Sequence, residues 1–133
     1  MGFSLDRLGR SELHYASNDG DFNKVKSLID DGIDVNLKDK EGWTPLHFAA
    51  QSQNASIVLL LIEAGAEIDE CDSNGNTPLS NAVFYYTTDG SIIKILRKHG
   101  ADPYKSNKYG QTPVGLARQI ANYDVAKFFV DLP

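Results

Sequence analysis

The chain has 133 residues, 41% hydrophobic and 23% charged, with a formal net charge of −5. That is one domain of ordinary soluble composition, long enough to bury a core, and its acidic balance argues against a phosphate backbone as partner. A single cysteine, Cys71, excludes an internal disulfide, and the longest apolar run, residues 57–62, is far too short to cross a bilayer.

The first ten residues, MGFSLDRLGR, carry two arginines, an aspartate and no apolar run, so no secretory signal is read there. The expected location is cytoplasmic. Patterned sequence begins almost at once after Met1, and the chain reads as a whole small protein, monomeric by itself.

In chain order, one pattern then recurs. Gly9-Arg10-Ser11-Glu12-Leu13-His14 is a weak first copy of Gly42-Trp43-Thr44-Pro45-Leu46-His47. Gly75-Asn76-Thr77-Pro78-Leu79-Ser80 and Gly110-Gln111-Thr112-Pro113-Val114-Gly115 follow. The steps from Ser11 to Thr44, Thr77 and Thr112 are 33, 33 and 35 residues. Gly32, Gly65 and Gly100 keep the same spacing, each ahead of a short extended piece.

The physics of one unit is legible in its second copy. Thr44 is placed to cap a helix, and Pro45 sits at the first helical position, where its missing N–H costs nothing. The first helix carries Leu46, Ala49 and Ala50, small enough for close helix approach. A polar break at residues 51–54 precedes a second helix with Ile57, Val58, Leu61 and Ile62 on its inner face. Gly65 ends it in a position that favours a left-handed backbone, and Asn74-Gly75 marks a tight turn. One such unit cannot bury its own apolar face and must stack on the next.

The ends differ as caps should. Lys24 and Ser27 replace Ile57 and Leu60 in the first unit, and Glu12 replaces Pro45. In the last, Phe128 and Phe129 are expected to seal a terminal helix. The third unit is two residues longer, with the extra length inside residues 84–90. There Phe84, Tyr85 and Tyr86 stand together, either filling space against the longer loop or forming an exposed ridge. Leu59 aligns with Lys26, Lys94 and Lys127, a solvent-facing slot, and carries no assigned role.

With two motifs in phase, residues from about Asp6 to Val130 closely resemble the ankyrin repeat, whose unit carries Thr-Pro-Leu-His-x-Ala and spans 33 residues. The resemblance implies an all-α solenoid of four stacked helix-turn-helix units with β-turn or hairpin tips. The units are 6–38, 39–71, 72–106 and 107–133 of a single domain, 1–133. It also implies that His14 and His47 hydrogen-bond structurally between loops of neighbouring repeats.

No catalytic, metal or cofactor site is expected. The three histidines lack metal-ligand spacing, Cys71 has neither a second cysteine nor a supplied base, and no phosphate-cradling or serine-nucleophile motif appears.

The resemblance further implies binding through the tips and the exposed side of the first helices, which line a concave face. Its variable positions hold Trp43, Phe84, Tyr85 and Tyr109, with Tyr86 beside them, and aromatics of this kind anchor interfaces. Asn76 and Gln111 share the face. Arg10, Lys40 and Lys108 flank it, which reads as a basic, aromatic surface suited to an acidic patch. Trp43 has no evident core role at its position. The expected function is binding of one protein partner, as scaffold or inhibitor. A narrower expectation is an immunity protein that neutralises a toxin. The alternative is a subunit that self-associates through the open C-terminal end. An enzyme would need a buried titratable pair that the sequence does not supply.

Overall fold

Four residues, Ser11, Thr44, Thr77 and Thr112, set where the first helix of each unit begins. Each is extended, and its hydroxyl accepts from the backbone N–H three residues on. Pro45, Pro78 and Pro113 follow at the first helical position. The computed structural model describes residues 3–87, 89–120 and 124–133. Thr88 of the expected insertion, residues 121–123 between the expected last two helices, and Met1 and Gly2 at the start of the expected domain lie outside the described residues.

The first helices are α1 (Glu12–Asp19), α3 (Pro45–Gln51), α5 (Pro78–Phe84) and α7 (Pro113–Gln119). The second helices are α2 (Phe22–Asp30), α4 (Ala55–Glu63) and α6 (Ser91–Lys98). They form two rows: α1, α3, α5 and α7 pack in succession, and α2, α4 and α6 pack behind them. Ala49, Ala50 and Ala82 are almost fully enclosed in the first row, where a larger side chain would hold the helices apart. Val25, Val58 and Ile93 lie buried in the second row, as do Leu28, Leu61 and Leu96. Lys24 and Ser27, on the open first unit, are exposed. The result is an all-α repeat solenoid.

The tips take the first of the two expected forms: they are turns, and no strand is present among the described residues. Their backbone groups bond within the turn and to the preceding tip, leaving no ladder to extend. The second helix of the last unit is a 3-10 helix, Val125–Phe129. It is five residues long and ends the stack, with packing on one side only; short terminal pieces often tighten this way. Arg97 fastens it: Nη1 donates to Phe128 O at 2.9 Å, and the guanidinium grips Asp131 through two bonds of 2.8 Å. Phe129 is fully buried and Phe128 half-buried. The Phe128 ring lies on Gly90, where a Cβ would meet its Cζ at 2.0 Å.

Leu61 is 0% exposed and Leu59, two residues earlier on α4, is 36% exposed. Leu61→Ala should cost ~2–5 kcal/mol, and Leu59→Ala well under 1 kcal/mol, in urea denaturation. Equal losses would contradict this helix phase.

Candidate functional site

The tips are built on one carboxylate or amide per unit. Asp39 Oδ1 accepts from the N–H groups of Glu41 and Trp43, each at 2.9 Å. Asp72 does the same for Asn74 and Asn76, each at 2.9 Å, and Asn107 for Tyr109 and Gln111 at 2.9 and 3.0 Å. Such side-chain bonds fold the backbone into a turn without a strand partner. Successive tips then join: Lys40 N donates to Leu8 O, Ser73 N to Glu41 O and Lys108 N to Asn74 O, at 2.9–3.0 Å. Gly42, at φ +79°, permits this approach; a Cβ there would fall 2.8 Å from Ser73 N.

Imidazoles tie the first two helix starts to the following tip. Thr44 N–H donates to His47 Nδ1 at 3.1 Å, so the ring proton sits on Nε2, which donates to Asn76 O at 2.9 Å. His14 repeats this, accepting from Ser11 N–H and donating to Trp43 O at 3.0 Å. Each histidine closes a capping box at the third helical position. Both rings are fully buried, and burial pushes both pKa values below the ordinary 6.5. In the third unit Ser80 takes the histidine's place and has no ring to fill that space.

Two adjacent concavities open between the tips and the first helices. The first, about 270 Å³, is lined by Arg10, Glu41, Trp43, Phe48 and Gln51. Here Arg10 is committed to its own chain: Nε donates to Asp39 Oδ2 at 3.0 Å, and the guanidinium lies 5.2 Å from the Phe48 ring and 5.9 Å from the Tyr15 ring. Trp43 is half-buried, its ring 4.9 Å from Phe48 and 5.7 Å from His47. It therefore has the packing role that the sequence did not reveal.

The second concavity is a groove of about 420 Å³ running from the second tip to the fourth. Trp43, Asn76, Phe84, Tyr85, Tyr109 and Gln111 all line it. Tyr109 is 73% exposed, Phe84 64% and Tyr85 37%. Asn76 Oδ1 accepts from Asn107 Nδ2, and Gln111 Nε2 donates to Gln119 Oε1, each at 2.9 Å. The groove also contains Glu41, Asp72, Ser80 and Asn81. Asp72 and Asn81 were not among the candidates. A signal for Asn81 was available, since it replaces the aromatics Tyr15 and Phe48 at the same place in the repeat.

Two expectations change. Tyr86 is 3% exposed and does not stand beside the other rings. The longer loop turns it inward, where it packs on Phe128 at 5.6 Å and its hydroxyl donates to Asp124 at 3.0 Å. The face is less basic than its sequence suggests. Lys38 pairs with Glu70 at 2.8 Å, Arg10 is spent on Asp39, and no lysine or arginine lines the second groove. Lys40 and Lys108 are exposed outside it, Lys108 Nζ lying 5.3 Å from the Tyr109 ring. Finally, His99 is fixed locally, its Nδ1 bonded to Ile95 O at 2.9 Å. Among the described residues no group of three His, Cys, Asp or Glu side chains is placed to hold a metal, and no helix is long and apolar enough to cross a membrane.

A family model for ankyrin repeats, in three copies, matches residues 13–107. Over 119 residues the chain is 40% identical to serine/threonine-protein kinase 12 of Arabidopsis thaliana, covering 88% of this chain and 24% of that protein. The chain thus spans about a quarter of the length of this relative.

The histidine geometry predicts a pH dependence. The unfolded chain takes up protons near pH 6.5 that the buried rings resist, so stability is full above that pH and falls as pH drops below it. Asp6, Asp124 and Asp131, held below their ordinary 3.8 by their hydrogen-bond partners, act in a lower window. His47→Gln keeps a capping side chain but cannot titrate. It should lower stability at pH 7.5 and lose less than the parent on going to pH 5.5, read from urea midpoints. A parent whose midpoint is flat between those pH values would refute the assignment.

Proposed function

Because this chain belongs to the ankyrin-repeat family, whose repeats mediate protein–protein interaction, we propose that it is a non-enzymatic binding domain that holds one protein partner on the face of its tips and first helices. The observation that carries the reading is the groove itself. Six side chains from separate tips and helices converge there, and three of its aromatic rings are exposed with no core to fill. Rigid rings lose little conformational freedom on binding and serve as anchors. Residues 107–133 act in this proposal as the closing unit of a single domain. A toxin is one partner that such a face would occlude, and nothing in the groove selects it over other proteins. Kinase activity is a property of the relative, not carried over from a match to a quarter of its length.

A photo-crosslinker placed at Tyr109 should trap the partner, and one placed at Leu59, on the second-helix row, should not. With that partner purified, Tyr85→Ala and Tyr109→Ala should each weaken binding by ~2 kcal/mol while leaving the melting temperature unchanged. Trp43→Ala should weaken binding and also lower the melting temperature, because its ring packs on Phe48. Lys26→Glu should do neither. Loss of binding in Lys26→Glu or Leu59→Lys, with both tyrosine variants unaffected, would move the partner to the opposite face. Sedimentation of the chain alone separates heteromeric binding from self-association.

A further inference from the structure

We propose that the groove between the second and fourth tips receives an arginine side chain presented by a peptide segment of the partner, with Asp72 as its counter-ion. This rests on the binding reading above and specifies the partner's chemistry.

The chain displays the arrangement once, filled by its own residue. In the first concavity Arg10 donates through Nε to Asp39 Oδ2 at 3.0 Å, with its guanidinium between the Phe48 and Tyr15 rings. One unit on, Trp43 stands where Arg10 stood, and the equivalent carboxylate is Asp72. Both backbone bonds that fold its turn end on Oδ1, and among the described residues no cation pairs with it. Asp72 is only 9% exposed, and the other charged side chain lining the groove is Glu41. The carboxylate is held in place by its turn while its outer oxygen stays open to the groove, and such an oxygen favours a cation brought from outside.

A second, independent observation lies on the wall. Asn81 is 6% exposed, lines the groove, and its Nδ2 has no hydrogen-bond partner. Buried amides are nearly always paired, and this Nδ2, closed to water as it stands, meets an acceptor in the groove once the side chain turns outward. Ser80 beside it leaves open the room that His14 and His47 fill in their own units. The groove therefore asks for a cation and an acceptor together. A metal ion or polyamine meets Asp72 and leaves Asn81 unmatched. A peptide meets both, its arginine reaching Asp72 and a backbone carbonyl accepting from Asn81. Arginine fits better than lysine because a planar guanidinium stacks against Trp43 and Tyr85 while it donates in its own plane.

The test is an NMR titration of the full chain with acetyl-Gly-Arg-Gly-amide, and with the same peptide carrying lysine or citrulline. The arginine peptide should shift the Trp43 indole and Asn81 side-chain amide signals. Lysine should bind more weakly, and neutral citrulline should not bind. Asp72→Asn should reduce affinity for the arginine peptide about tenfold. That variant keeps its turn, since Asn107 builds the same turn one unit later. Asn81→Ala should also weaken binding. No shifts at several millimolar arginine peptide, citrulline binding as well as arginine, or an unchanged affinity in Asp72→Asn would each overturn the proposal. The crosslinked partner distinguishes the two readings. If it still depends on Tyr85 and Tyr109 but is indifferent to Asp72→Asn, the groove binds protein and the arginine assignment alone falls.

Discussion

The register of the first three units rests on one recurring bond: a buried imidazole at the start of a first helix donating to the carbonyl of the following tip. His47 to Asn76 O and His14 to Trp43 O are two instances of it. A unit's apolar face is covered only by the next unit, so any slip between units would expose it. The same ring accepts its own cap's N–H, and therefore locks helix start, tautomer and tip together. Neutrality of the ring is part of the device. A second ring proton would face a backbone donor in a dry site, which is why the pH at which the stack loosens follows from the packing.

In the third unit, where that bond is absent, the groove opens. The third unit replaces histidine with serine and an aromatic with Asn81, and its tip carboxylate has no arginine to meet it. Each change removes an internal partner from the same small volume. The result is a concavity with polar groups that are only partly matched, rimmed by exposed rings. In the units before it the same positions are filled and self-satisfied. The groove comes from local departures in a regular stack, set between the first helices and their tips.

The longer loop of the third unit serves a structural end. It carries Tyr86 inward to Asp124 and Phe128, and Phe128 in turn rests on Gly90. Together with the grip of Arg97 on Asp131 and Phe128 O, this closes the stack over the short 3-10 helix. The adjacent Phe84 and Tyr85 remain outside, edge to face at 5.0 Å. Three consecutive aromatics thus divide between core and surface within a single turn of chain.

The repeat spacing, the caps, the prolines and the periodic apolar positions were all legible in the sequence, because each is dictated by contacts a few residues apart. Local chemistry sufficed for helix starts at Thr44, Thr77 and Thr112, and for the burial of Leu61. Alignment within the chain also placed Trp43, Asn76, Phe84, Tyr85, Tyr109 and Gln111 on one face, since stacked units bring equal positions side by side. Other outcomes needed the fold. Whether Arg10 was free or paired depended on Asp39, a unit away, and whether Tyr86 faced out depended on Asp124 and Phe128, in the next unit. The fold also turned a face that looked basic into an acidic groove. Lysines are counted by position in a sequence, but a flexible side chain settles wherever the nearest carboxylate or ring lies. That choice is made by distances across units, which spacing along the chain does not encode.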